Sequence, residues 1–260
     1  MTRQHVLLPP YAHQQRYYDE ACDPEFEIRR PHGCGRVYEF LIRYKIDTGL
    51  ALLGMNLAGR TVLEVCCGSG LMAEALARRG ARVTGADVSA QALARACTRA
   101  RRYGFLADFQ PADAEALPFR DQSFDVVAVH DGLHHLETPD RAIREMARVA
   151  RHGVLILEPA RAALTRVAVR LGLAEDVEEA GNRVRRLRAA DVAASLQEAG
   201  FPRVVWRRTL MYYPHQPSGW LRWFESAPRF ALFRAAFWGA NILFGRWGNK
   251  LALGATRIRC

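Results

Sequence analysis

The sequence predicts an α/β protein built on a doubly wound parallel sheet, and three observations lead there. Short apolar runs alternate with helix-patterned stretches between Thr61 and Glu158, the order that builds βα units. The first run, Thr61-Val62-Leu63-Glu64-Val65-Cys66, enters the turn Cys67-Gly68-Ser69-Gly70 just before an alanine-rich helix. A second run, Arg82 to Asp87, ends in an acid. In such sheets the ligand sits at the carboxyl edge of the strands. Gly68 and Gly70 let the backbone bend and approach it, and the free N–H groups of the following helix attract negative charge.

The first sixty residues lack strand alternation and read as a cap of loops and helices, with Tyr17-Tyr18-Asp19 and a helical pattern from Gly35 to Leu53. Thr61 to Cys66 is apolar on both sides of Glu64, as expected of a strand covered on both faces. Leu71, Met72, Ala75 and Leu76 give the next helix a sheet-facing stripe, and Gly80 follows its end. A helix over 90–101 is expected to bury Leu93, Ala94 and Cys97. Another starts at Thr138-Pro139, with the stripe Ile143, Met146 and Ala150. Strands are expected at Asp125 to His130 and Val154 to Glu158, and, after a helix ending at Gly200, at Arg203 to Tyr213 and Lys250 to Ile258. Between the last two lies Pro214 to Asn249, with four of the five tryptophans.

At 260 residues and 50% hydrophobic content, one large core suffices. The expected organisation is a single domain: cap 1–58, α/β core 59–213, aromatic insertion 214–249 and last edge strand 250–258. The net charge is +10, yet Lys45 and Lys250 are the only lysines. The arginines are scattered through predicted helices without a basic stripe carrying interleaved aromatics, which argues against nucleic acid as partner. An acidic or phosphorylated small molecule stays compatible with the charge. The six cysteines form no C-x-x-C pair, so reduced thiols and a cytoplasmic location are expected. The opening Met1 to Pro10 has too short an apolar run for a signal peptide. The most apolar stretch, Phe230 to Phe244, is interrupted by Arg234 and Asn241.

Gly68-Ser69-Gly70-Leu71-Met72-Ala73 also satisfies a dinucleotide pattern, and Asp87 could accept ribose hydroxyls from either cofactor class. The context continues with Asp113-Ala114-Glu115-Ala116-Leu117-Pro118-Phe119, then Ser123-Phe124-Asp125-Val126-Val127-Ala128-Val129, then His134-His135-Leu136. With this succession the chain resembles the class I S-adenosylmethionine-dependent methyltransferases, especially the small-molecule branch that includes quinone methyltransferases, closely over residues 59 to 160. The resemblance implies S-adenosyl-L-methionine as cofactor and a Rossmann-like, mostly parallel seven-stranded sheet whose last two strands form an antiparallel edge. It also implies that Glu64 helps place the cofactor's amino group, that Gly68 and Gly70 form the turn, and that Asp87 binds the ribose. Val88 would flank the adenine, Asp113 beside Ala114 would recognise the adenine amino group, and Tyr18 would belong to a lid segment over the cofactor. The family usually has glycine where Cys66 stands.

Candidate general bases are His130, His134, His135 and Glu158, all expected at the carboxyl edge, with His130 also bordering the cofactor. The four-residue spacing of His130 and His134 invites a metal reading, but Gly132 disfavours a continuous helix and no third ligand is evident, so no metal is expected. The expected activity is methyl transfer to an oxygen or carbon of a small apolar or aromatic acceptor. The absence of an Asn/Asp-Pro-Pro-aromatic run after the fourth strand argues against methylation of nucleobase or glutamine amino groups. Alternatives are an S-adenosylmethionine-binding enzyme of another reaction, such as a cyclisation, or a non-catalytic binding protein. The insertion reads as a lid closing the acceptor pocket with Trp220, Trp223, Phe224, Phe233 and Phe237, as an interfacial membrane helix, or as a dimer surface.

Overall fold

The computed structural model describes residues 15–21, 23, 25, 28–30, 35–162, 165, 184–211 and 219–257. Seven strands form one sheet in the order β3-β2-β1-β4-β5-β7-β6. They are β1 Thr61–Val65, β2 Arg82–Asp87, β3 Ala107–Pro111, β4 Phe124–His130, β5 Ala150–Pro159, β6 Arg203–Thr209 and β7 Lys250–Thr256. The first five run parallel, and β7 pairs antiparallel with both β5 and β6. The sheet is therefore the expected one. β3 lacks the apolar run that marks its neighbours, because it lies at the edge and leaves Asp108 and Pro111 exposed. β6 stops at Thr209 because Leu210 and Met211 bond to side chains instead; the expected end at Tyr213 lies outside the described residues.

Strand alternation divides the apolar residues between two layers. Leu63, Val65, Val127 and Val129 pack against Ile143 and Met146 of α4 (Pro139–Val149) and Val192 and Leu196 of α5 (Ala189–Glu198). On the opposite face, Val62, Val126, Ala128, Leu155 and Leu157 meet Ile42, Ile46 and Leu53 of α1 (Arg36–Leu53) and Met72 and Leu76 of α2 (Leu71–Ala77). α1 thus covers the sheet at β5 and β7 rather than standing apart as a cap. A Cβ at Gly254 would come within 2.4 Å of the Leu53 backbone nitrogen.

In α3 (Ala90–Tyr103) the buried side is Ala92, Arg95, Ala96 and Arg99, and Ala94 is exposed. The expected stripe through Leu93, Ala94 and Cys97 was misaligned because a buried arginine carries this face. Arg99 donates to Glu74 Oε2 at 3.1 Å and to the Ser69 carbonyl at 3.1 Å. Its charge is matched, and Ala96 beside it lets the helix approach the glycine turn.

The insertion folds into a short turn, Gly219–Arg222, and an 18-residue helix, α6 (Ala227–Phe244). Phe230, Phe233 and Phe237 pack against Val37, Phe40, Leu41 and Tyr44 of α1. Asn241 interrupts this apolar helix because its amide does the work of a strand partner, accepting from Leu210 N–H at 2.8 Å and donating to the Leu210 carbonyl at 3.0 Å. Asn249 treats Met211 the same way, at 3.0 and 2.9 Å.

Candidate functional site

The carboxyl ends of β1, β2 and β4 converge on the glycine turn. Gly68 and Gly70 have φ of 50° and 75°, the left-handed region that glycine enters without steric cost. A Cβ at Gly70 would also lie 3.1 Å from Ala96 Cβ, whereas the space above Gly68 is open. Asp87, at the end of β2, closes the turn by accepting from Gly68 N–H at 2.9 Å and from Ser89 N–H at 2.9 Å. Burial pushes its carboxyl up, against those two hydrogen bonds that hold it down. Asp113 is brought alongside because Ala112 N–H donates to the Asp87 carbonyl at 3.1 Å. Its Oδ1 accepts from Glu115 N–H, with Ala114 buried between them.

Glu64 is 2% exposed, and its Oε2 has no hydrogen-bond partner. Burial pushes its carboxyl well above the usual range, Ala73 N–H pulls it back, and the Asp87 charge adds to the rise. A carboxylate oxygen left bare in a buried strand end costs on the order of 1–3 kcal/mol unless a ligand donor meets it. A cationic amino group beside Glu64, ribose hydroxyls at Asp87 and an adenine beside Val88 fit this donor and acceptor set.

The loop after β4 is organised by Glu158. Sequence reasoning expected this carboxylate to point into the crevice. It is instead fully buried, with Oε1 accepting from Gly132 and Leu133 N–H at 2.7 and 2.8 Å and Oε2 2.7 Å from His134 Nδ1. His134 is accordingly turned inward too, while its ring lies 4.0 Å from that of His135. Asp131, at φ 51°, accepts from Lys45 Nζ at 2.5 Å. Lys45 is 3% exposed. Burial lowers its pKa to about 8, against the pull of Asp131. Ligand atoms of Asp131, His134 and Glu158 lie within 4.8 Å of one another, the separation of a metal cluster. The fold thus brings together a third ligand type that was not evident from the spacing of His130 and His134, and Lys45 lies against this group through Asp131.

His130 ends β4 with Nε2 buried and without a hydrogen-bond partner, 3.7 Å from Asp131 Oδ2. Burial, then the Lys45 charge, lowers its pKa to about 4.

The Tyr17–Ala21 turn is pinned across the cradle. Asp19 Oδ1 accepts from Ser89 Oγ at 2.5 Å and from Gln91 N–H at 3.2 Å, and the Tyr18 carbonyl accepts from Arg95 at 2.9 Å. The Tyr18 ring meets His135 edge-on at 6.0 Å, and Gln15 donates to the Val88 carbonyl at 3.2 Å. Lys45, Asp131 and Arg95, which the structure brings to this edge, were not among the expected site residues, and Asp19 was read only as part of the Tyr17-Tyr18-Asp19 segment. A lysine in a chain with so few of them was the one available signal, for Lys45. The aromatics expected to line an acceptor pocket divide otherwise: Phe233 and Phe237 pack on α1, and Trp220 and Trp223 are about half exposed.

A family model described as a methyltransferase domain matches residues 63–157, the span from β1 to β5 that holds Glu64, the turn, Asp87, Asp113 and the His130 loop. Residues 63–157 thus match a methyltransferase domain. The chain is 39% identical over 99 residues to ubiquinone biosynthesis O-methyltransferase of Azoarcus sp., a match covering 38% of this chain and 42% of that protein. It is 41% identical over 126 residues to Methyltransferase GfsG of Streptomyces halstedii, covering 47% and 43% respectively. The chain therefore spans less than half the length of these curated relatives. Among solved structures, magnesium protoporphyrin IX methyltransferase from Synechocystis with bound SAH aligns over 94% of this chain and 98% of that one, with TM-score 0.62 and 22% identity. The 4+2 cyclase SpnF aligns over 82% and 79%, with TM-score 0.52 and 24% identity. These likenesses show that the methyltransferase domain has the fold of its class.

Proposed function

We propose that the protein transfers a methyl group from S-adenosylmethionine to an oxygen or carbon of a small, apolar or aromatic molecule. The observation that carries this reading is the bare, buried Oε2 of Glu64 across the open glycine turn from Asp87. Bound there, the cofactor supplies an electrophilic methyl group on a sulfonium. Glu64 receives its amino group, Gly68 and Gly70 give its chain room, Asp87 accepts the ribose hydroxyls, and Val88, Asp113 and Ala114 border the adenine. Tyr18 and Asp19 close over the cradle and keep water out. Methyl transfer is an in-line displacement, so alignment and exclusion of water do most of the work.

Of the four candidate bases, His130 is the one we assign to the acceptor's proton. Its Nε2 is free of hydrogen bonds, burial keeps it neutral, and Asp131 stands beside it to offset the charge it would gain. Glu158 and His134 position the Gly132–His134 turn, and His135 lies between the His134 ring and the edge-on Tyr18 ring. Oxygen is the favoured acceptor atom, in keeping with the ubiquinone biosynthesis O-methyltransferase among the relatives. We read the chain as a single domain working in the cytoplasm. The free Cys66, Cys67 and Cys97 support that location.

Asp87→Ala tests the cradle. Removing hydrogen bonds to a buried ribose, at about 1–3 kcal/mol each, should weaken S-adenosylmethionine binding at least tenfold by calorimetry. Unchanged affinity moves the cofactor elsewhere. Mass spectrometry of product then separates methyl transfer, which adds one CH2 unit to the acceptor, from a cyclisation that leaves its mass unchanged.

A further inference from the structure

α6 is apolar apart from Pro228, Arg229, Arg234 and Asn241, yet buries only Phe237. A helix of that composition is normally enclosed by protein or by lipid. Phe230, Phe233 and Phe237 account for one side, seated on α1. The opposite side presents Leu232, Ile242 and Leu243 at 57%, 81% and 65% exposure. Eight of the ten large hydrophobic residues exposed among the described residues fall between Trp220 and Trp247.

The exposed charges of this segment have one sign. Arg222, Arg229, Arg234 and Arg246 are all exposed. The sole acid of 219–247, Glu225, is turned inward, accepting from the Arg36 and Val37 N–H groups at 2.7 and 3.3 Å. Arg229 and Arg246 lie over the Trp223 and Trp247 rings at 4.8 and 3.8 Å. Tryptophan and arginine therefore stand together at both ends of an aliphatic stripe on a helix about 27 Å long.

We infer that this face docks in the headgroup region of an anionic lipid bilayer, with the stripe inserted, the tryptophans at the interface and the arginines on lipid phosphates. A second copy suits the face poorly, because a two-fold contact would set the same arginines against one another with no acid to neutralise them. Insertion is parallel to the surface: no helix of the described residues is long and apolar enough to cross a membrane. The inference stands independently of the proposed reaction.

The test is flotation of the full chain with vesicles of equimolar phosphatidylglycerol and phosphatidylcholine, against phosphatidylcholine alone. Co-flotation with the anionic vesicles, a blue shift of tryptophan emission and quenching by brominated acyl chains are expected. Combined L232Q, I242Q and L243Q, all at exposed positions, should abolish flotation while leaving the melting temperature and S-adenosylmethionine binding unchanged. Neutralising Arg222, Arg229 and Arg246 to Gln should lower partitioning by about fivefold per residue. No flotation on anionic vesicles, equal binding to phosphatidylcholine, or no tryptophan quenching by brominated lipid overturns the inference. So does a dimer by light scattering that the triple glutamine variant dissociates, which would assign the face to a second copy.

Discussion

At the scale of single residues, the clearest departure from the family's pattern has a physical meaning. Cys66 stands at φ 52°, the left-handed region that explains why glycine is usual there. Its side chain is accommodated by a second glycine, since a Cβ at Gly132 would sit 2.4 Å from Cys66 Cβ. The two positions should therefore be coupled. Gly132→Ala alone should destabilise the fold by at least 2 kcal/mol, as overpacking does, while Cys66→Gly should cost less than about 1 kcal/mol, strain relief offsetting chain entropy. In the Cys66→Gly background, Gly132→Ala should recover most of its loss in urea denaturation; strictly additive effects would break the argument. His130 yields a second prediction. Its pKa of about 4 lies below the usual histidine value of about 6.5, so between the two the unfolded chain binds more protons and stability rises with pH. Acidification through this window should cost the wild type on the order of 3 kcal/mol, and His130→Asn should flatten the slope. An unaltered pH profile in that variant would mean that His130 is not the buried neutral group.

At the scale of elements, α6 shows how one polar side chain attaches an insertion to a sheet. Strand pairing ends at Thr209, and the next two residues satisfy their backbone through Asn241 and Asn249. Asn241→Leu keeps the branched shape but strands the Leu210 N–H and carbonyl. Urea unfolding should register a loss of about 1–3 kcal/mol, and α6 amides should exchange faster. If exchange is unaltered, the helix is held by its aromatic seat on α1 alone. Helix positions were legible in the sequence wherever apolar spacing controlled them, as in Ile143 and Met146 of α4. They were misjudged in α3, where the buried face is set by Arg99 meeting Glu74 from α2. No spacing rule places a buried arginine, because its burial depends on a partner twenty-five positions away.

For the whole molecule, the sheet order puts β1 between β2 and β4, so the switch point of the topology coincides with the glycine turn. Ligand binding there should stabilise the entire fold. S-adenosylmethionine at a hundred times its dissociation constant should add about 2.7 kcal/mol, visible as a raised melting temperature. NAD at the same concentration should add nothing, although Gly68-Ser69-Gly70 fits a dinucleotide pattern. Equal stabilisation by NAD would reverse the cofactor assignment.

The sequence by itself determined the strand alternation and the glycine turn, because these follow from local periodicity and spacing within one βα succession, and it marked Glu64, Asp87, Asp113 and the loop after β4 through the resemblance that their succession carries. Tertiary structure alone decided which acids are open to a ligand. Glu158 and Glu64 both end or interrupt apolar strands and look alike in one dimension, but the first meets two loop N–H groups and His134 while the second keeps one oxygen bare. It also decided that Lys45, eighty-six positions from Asp131, would neutralise that loop, and that α6 would cover α1 with one side and leave the other exposed. Such outcomes depend on which elements pack together, and a buried charge or an uncovered apolar face takes its meaning only from the partner that the fold brings to it or withholds.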